Sequence, residues 1–254
     1  MGRPDFLILG CQKGGTTSLY DLVVQHSRIQ AAAEKELQFF SLHYSRGWEW
    51  YCQQFPNKRH WLRLRLSGEA TPYYLFHPLA PERIAHHCPR AKLVVLLRDP
   101  VERTLSQFFH SRRLGLETLP LEAALAAEPQ RLADAESTLA RGEPHRSHQE
   151  HSYLSRSRYG QQLERYAARF SANQLLALRS EAFFADPVGI TALVWRFLGL
   201  QTEPLQQLRV SNQGKGEANC VGAATRAWLQ EQLDGERQVM EQWLTRLGPH
   251  GQLF

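Results

Sequence analysis

The sequence predicts an α/β protein built on a P-loop-like parallel β-sheet flanked by helices, organised as a single domain over residues 1–254. Three observations carry this. Phe6, Leu7, Ile8 and Leu9 form a short apolar run that ends at Gly10, followed by Lys13-Gly14-Gly15-Thr16-Thr17-Ser18 and then by Leu19, Leu22 and Val23 at helical spacing. A second unbroken apolar run, Leu93, Val94, Val95, Leu96 and Leu97, is what a parallel strand covered on both faces requires. The chain of 254 residues, 43% of them apolar, is long enough to bury a sizeable core, and no linker divides it.

The first run reads as strand, glycine turn and helix N-terminus, with the helix over 16–26. In such a turn backbone N–H groups converge on an anion, the helix dipole adds positive potential, and the hydroxyls and Lys13 add donors. A phosphate group is the natural guest. The nucleotide-triphosphatase loop GxxxxGK[ST] can be laid on Gly10 and Gly15, but its lysine position is then Thr16, and the only lysine comes earlier, at Lys13. That shift argues against an ordinary ATP or GTP site. The string GCQKGGTTSL instead resembles the 5′-phosphosulfate loop of sulfotransferases that use 3′-phosphoadenosine 5′-phosphosulfate (PAPS). The resemblance implies that Lys13, Gly14, Gly15, Thr16, Thr17 and Ser18 hold the donor, with Lys13 beside its bridging oxygen.

Ala31-Ala32-Ala33 leads into Glu34-Lys35-Glu36-Leu37-Gln38-Phe39-Phe40, and residues 43–51 are dense in aromatics. The pair resembles the KE-x-x-FF and G-x-x-WY signature of heparan-sulfate-type sulfotransferases and their bacterial relatives. Carried over, Glu36 is the general base that takes the proton from the acceptor. Residues 62–66 alternate apolar and basic, as a strand with one wet face would. They run to Gly68-Glu69-Ala70-Thr71-Pro72-Tyr73-Tyr74, which in the family lines the acceptor cleft. Heparan-sulfate enzymes place a lysine where this chain has Ala70, which shifts weight from a polyanionic sugar toward a smaller or neutral acceptor. His77 is expected to be structural or solvated.

A short helix over 81–88 precedes the second apolar strand. Arg98 stands at the strand's C-terminal end, where α/β sheets bind ligands, and Pro100 suits the first turn of the next helix. The string RDPxERxxSxxxH, Arg98 to His110, resembles the family's 3′-phosphate motif, which implies that Arg98 and Ser106 bind that phosphate. Arg98 offers a planar fork and Ser106 a hydroxyl. The alternative makes this an acidic nucleotidase strand with Asp99 on Mg²⁺.

Residues 119–139 read as helical with a break near Pro129, and 140–157, rich in Arg, His, Ser and Glu, as a long polar surface loop rather than a metal cluster of His145, His148 and His151. A helix over 159–170 carries Tyr159, Leu163, Tyr166 and Phe170 on one face. A strand over 174–178, Asp186-Pro187 and a core helix over 190–200 follow the family's order. Near the end, Lys215 and Gly216 stand where the family closes its nucleotide site with a basic loop, before a helix over 225–247. Only Cys220 lies in that loop, so the disulfide that ties it in heparan-sulfate enzymes is absent.

Thirty Lys and Arg against 25 Asp and Glu give a net charge of +5 without a long basic block, which favours anionic ligands and makes nucleic acid a poor partner. The four cysteines show no metal-ligand spacing and read as reduced thiols of a cytoplasmic protein. Neither a membrane span nor room for a signal peptide is visible ahead of Phe6. The function expected is transfer of a sulfuryl group from PAPS to a hydroxyl or amine of a small-molecule or glycan acceptor, leaving 3′-phosphoadenosine 5′-phosphate (PAP). Lys13 and the helix dipole then do the work of a metal. A P-loop kinase or NTPase using Mg-ATP, and a non-catalytic module that keeps the donor pocket, are the alternatives.

Overall fold

In the computed structural model, which describes residues 2–56, 65–208 and 216–249, the two apolar runs become the centre of one sheet. Its strands are β1 (Phe6–Gly10), β2 (Ile29–Ala31), β3 (Leu66–Ala70), β4 (Lys92–Leu97) and β5 (Leu175–Arg179). They lie in the order β2-β3-β1-β4-β5, all parallel. The helices are α1 (Thr16–Val23), α2 (Trp48–Gln53), α3 (Tyr73–Phe76), α4 (Ala80–His87), α5 (Pro100–Arg113), α6 (Leu121–Arg131), α7 (Ala135–Ala140), α8 (Arg146–Glu150), α9 (Tyr159–Ala167), α10 (Ser180–Ala185), α11 (Pro187–Phe197), α12 (Ala223–Gln232) and α13 (Asp234–Leu247). No helix among the described residues is long and apolar enough to cross a membrane.

Because β1 and β4 are neighbours in the middle, successive side chains enter two different cores. Leu7, Leu9, Leu93, Val95 and Leu97 pack with Phe39, Phe40, Tyr51, Tyr74 and the α9 and α13 residues Tyr166 and Trp243. Phe6, Ile8, Val94 and Leu96 pack on the other side with Leu19, Leu22 and Val23 of α1 and Leu193, Val194 and Trp195 of α11. Each such side chain contributes about 1.5–3 kcal/mol when fully buried. A third cluster joins Val101, Leu105 and Phe108 of α5 to α6, Tyr153 and Leu229 of α12. From β1 the chain proceeds toward β2, from β4 toward β5, so the loops after these adjacent strands diverge and open a crevice at their C-terminal ends.

Several elements depart from the sequence reading. Helix α1 stops at Val23, three residues short, because the chain turns back to pair Ile29 with Leu66 in β2, a strand that the sequence did not signal. Of the alternating segment 62–66, positions 62–64 lie outside the described residues, and the strand begins at Leu66. Pro129 sits inside α6, and the break falls after Arg131. The terminal helix is two, hinged at the buried Leu233.

The largest correction concerns 140–157. Residues 141–144 are an exposed loop, but the rest is not: it folds into α8 and a 3-10 turn, Ser155–Ser157, and His148, Ser152, Tyr153, Arg156 and Ser157 are buried. The fully buried Arg103 of α5 donates to Ser157 and to the Tyr153 carbonyl, and Glu128 accepts from the N–H groups of Leu154 (2.7 Å) and Ser155 (2.8 Å). These partners come from other helices, so a polar segment without apolar period is buried with most of its hydrogen bonds made, the Arg156 Nε excepted.

Candidate active site

The crevice is built first by the turn after β1. Gly15 caps α1 with φ 94°, and a Cβ there would approach Phe184 Cζ to 2.9 Å; a Cβ on Gly14 would come within 2.9 Å of the Cys11 carbonyl. Three contacts hold the turn. The Gly14 N–H donates to the Cys11 carbonyl at 3.0 Å, Ser180 Oγ donates to the Gly14 carbonyl at 2.6 Å, and Arg98 Nη1 donates to the Lys13 carbonyl at 3.0 Å. No side chain caps α1 and no acidic residue lies in its first turn, so the orphan N–H groups at its N-terminus face the crevice with their positive potential undiminished.

A cavity of about 260 Å³ opens there, lined by Gln12, Lys13, Gly15, Thr16, Thr17, Glu36, Pro72 and His110. It brings Lys13, two hydroxyls and Glu36 to one place. Gly14 stays behind the surface, and Ser18 is fully buried outside the lining. Pro72, His110 and Gln12 each lie in a motif marked in the sequence but carry no individual role there. His110 is the recoverable one, since it lies four residues after Ser106 on the same face of α5. Arg98 and Ser106 stand outside the lining, Arg98 at its edge against the Lys13 carbonyl and Ser106 one turn before His110. Lys215 lies outside the described residues. Gly216 precedes Glu217, whose carboxylate pairs with Arg113 at 2.5 Å.

The electrostatics divide the site. Burial lowers the Lys13 pKa, and the neighbouring cations Arg113 and Arg98 lower it further, while Glu36 opposes them. The His110 pKa is lowered by burial and by Lys13 and Arg113. Glu36 reaches solvent through the cavity mouth, yet the enclosing protein raises its carboxyl pKa by desolvation, against Lys35, Arg156 and Lys13. A concave site explains both: water touches the carboxylate but cannot surround it.

The Glu36 backbone is left-handed, φ 57°, as is Gln38, φ 54°. Such conformations cost a non-glycine residue on the order of 1–3 kcal/mol and persist only where the surroundings enforce them. Here Glu69 enforces them. It is fully buried, not in the cleft, and accepts from Thr71 Oγ1 (2.6 Å), Tyr51 Oη (2.5 Å), Tyr74 Oη (3.0 Å) and the Leu37 backbone. Burial raises its pKa against those bonds. Tyr51, Tyr73 and Tyr74 therefore belong to the core, while Trp48 stacks on His87 at 4.5 Å and Trp50 lies under Arg46 at 4.4 Å. His77 is buried, its pKa lowered to about 3 by desolvation.

Asp99, the residue an Mg²⁺ site would use, is engaged as the N-cap of α5. Its Oδ1 accepts from Val101 N (3.0 Å) and Glu102 N (3.1 Å), and its Oδ2 from Arg237 (2.6 Å). The histidines of 140–157 are engaged separately: His145 caps α8, His148 bonds Tyr73 Oη at 2.8 Å, and His151 bonds the Leu116 carbonyl at 3.0 Å.

Comparison with known proteins agrees with this architecture. Residues 3–220 match the family described as "Sulfotransferase domain". The membrane-associated sulfotransferase kil1 of Dictyostelium discoideum is 40% identical over 108 residues, 42% of this chain and 23% of its own length. The bifunctional heparan sulfate N-deacetylase/N-sulfotransferase 1 of Caenorhabditis briggsae is 27% identical over 260 residues, covering 94% of this chain and 28% of that protein. The chain thus spans about a quarter of the length of these curated relatives. A crystal structure of a sulfotransferase from Alicyclobacillus acidocaldarius superposes with a TM-score of 0.68 at 27% identity, covering 92% of this chain and 96% of that one. With a family match that takes in both the phosphate loop and the Arg98 strand, the chain belongs to the sulfotransferase family.

Proposed function

We propose that this protein transfers a sulfuryl group from PAPS, as donor substrate, to a hydroxyl or amine of a small-molecule or glycan acceptor. The observation that carries the proposal is the shared cavity of Lys13, Thr16, Thr17 and Glu36 at the N-terminus of α1. Its donor set is cationic and rich in N–H and O–H groups, which suits an anionic phosphosulfate.

The step is an in-line displacement. Glu36 takes the proton from the acceptor, the freed electron pair forms the new bond to sulfur, and the bond from sulfur to the bridging oxygen breaks, PAP leaving with that pair. General-base help of this kind is worth about 10²–10⁴ in rate. Lys13, the first-turn N–H groups of α1 and the hydroxyls of Thr16 and Thr17 offset the charge that grows on the departing phosphate. Gly14, Gly15 and Ser18 shape the turn. Arg98 and Ser106 hold the 3′-phosphate, with Lys215 and Gly216 closing over it. The relatives named for heparan sulfate support a glycan, while Ala70 in place of the family's lysine supports a less anionic acceptor.

The test is incubation with sulfur-labelled PAPS and a panel of alcohols, amines and glycans, with and without a chelator. Label transfer that survives chelation is expected. Mg-dependent hydrolysis or transfer from ATP, with no label moved from PAPS, overturns the reading in favour of a kinase or NTPase.

A further inference from the structure

The transfer step just described uses neither of two buried arginines, Arg103 and Arg156, and Arg156 is the one that reaches the phosphate loop. Arg156, in the turn between α8 and α9, is 3% exposed and makes no ion pair with a carboxylate among the described residues. Its Nη2 donates to the carbonyls of His148 (2.9 Å) and Gln149 (2.8 Å), and its guanidinium lies over the rings of Tyr73 (5.1 Å) and Phe76 (5.0 Å). Its Nη1 donates to Oε1 of Gln12 in the phosphate loop, and its Nε is buried with no hydrogen-bond partner. A cation held this far from water without a counter-ion is costly, of the order of several kcal/mol. Desolvation lowers its pKa only to about 10, so it stays protonated at neutral pH.

Two consequences follow for the cavity. A guanidinium has only donors, so the Gln12 carboxamide must turn its oxygen to Arg156 and keep its NH₂ for other partners. Gln12 lines the same cavity as Lys13 and Glu36. Arg156 also adds to the positive potential that Lys35 and Lys13 place at Glu36. The charged and titratable groups around Glu36 are Lys35 on its own segment, Lys13 of the loop, His110 of α5 across the cavity, and Arg156. We propose that Arg156 is a positioning residue of the transfer site: it locks the Gln12 carboxamide with its NH₂ group toward the cavity as a donor to the sulfuryl oxygens, and it adds positive potential at Glu36.

This rests on the sulfotransferase reading, and the experiment separates the two. In the full chain, the Glu36 side-chain carboxyl is titrated by carbon-13 NMR, which needs neither donor nor acceptor. Arg156→Gln is expected to shift that titration upward, Arg156→Lys to leave it near the original, and Gln12→Ala to leave it unchanged. In the PAPS assay, Gln12→Ala and Arg156→Gln are each expected to lower kcat about tenfold with KM for PAPS within about twofold, and the double variant to lose no more than either single one. An Arg that merely holds the turn together would lower Tm without moving the titration. An unmoved Glu36 titration in folded Arg156→Gln, or additive losses in the double variant, overturns the proposal. Should Arg156→Gln not fold, Gln12→Ala decides it, and an unaltered kcat there overturns it. Failure of the unaltered protein to use PAPS would count against the transfer reading, and the titration would still decide for Arg156.

Discussion

Arg98 Nη1 donates to the carbonyl of Lys13 at 3.0 Å, so a residue at the end of β4 fixes the backbone of the loop that follows β1. Tyr159 Oη in turn donates to the Arg98 carbonyl at 2.9 Å and lies 3.4 Å from Cys11 Sγ, tying α9 to both strand ends. The two proposed phosphate cradles are therefore one mechanical unit, and a change in either is felt in both.

Arg98→Met should weaken PAP binding by about 1.5–3 kcal/mol, the worth of a charged hydrogen bond, which is roughly 10–150-fold in Kd. It should also lower kcat, because the Lys13 carbonyl loses its anchor. Calorimetric titration with PAP alongside steady-state rates checks this; unchanged PAP affinity would remove Arg98 from the 3′-phosphate site.

Lys13→Ala should reduce transfer to background, a loss of at least about 10²–10³-fold, since a preorganised cation at the departing oxygen acts only where charge develops. The fold should survive, because Lys13 is half-buried and its structural bond is made by its backbone carbonyl. Rates with labelled PAPS, with circular dichroism as a fold control, provide the measurement.

Glu36→Gln should cut kcat about 10²–10⁴-fold while PAP still binds. The pH profile of the unaltered enzyme should be bell-shaped. Glu36 works ionised and its pKa is raised, so the acid limb should lie above the ordinary glutamate range. Lys13 works protonated and its pKa is lowered, so the alkaline limb should lie below the ordinary lysine range. The Gln variant should lose the acid limb; a retained one would exclude Glu36 as the base.

Glu69→Ala should destabilise the protein by about 3 kcal/mol or more, because it strands the hydroxyls of Tyr51, Tyr74 and Thr71 in a dry core. Tyr51→Phe alone should cost about 1 kcal/mol. Urea unfolding of the three proteins measures both, and kcat should fall with Glu69→Ala as the left-handed turn at Glu36 relaxes.

Acid should destabilise the fold before the carboxylates titrate. Burial holds His77 neutral down to about 3 and His148, stacked on Phe76 at 4.1 Å, down to about 2. Once unfolded, both imidazoles take up protons below about 6.5, so the unfolded state binds more protons and stability falls as pH drops from there. The slope reaches about 1.4 kcal/mol per pH unit for each histidine. Removing one titrating ring with His148→Phe should flatten the decline between pH 6 and 4, read as Tm against pH.

By itself the sequence determined the parallel centre of the sheet, the glycine turn and the position of Arg98, because these are short-range patterns. An unbroken apolar run has no exposed face, a left-handed Gly15 is written in the residue, and Asp99-Pro100 starts a helix wherever it stands. The lysine at 13 instead of 16 likewise separated this loop from nucleotide-triphosphatase loops without any coordinates. Only the tertiary structure decided that Glu36 and Lys13 share a cavity with His110, that Glu69 is an internal brace rather than a cleft residue, and that the polar stretch around Arg156 is buried. Those are facts about partners up to 144 positions away in the chain. A buried polar side chain looks the same in sequence as a solvated one until the groups that satisfy it are brought alongside.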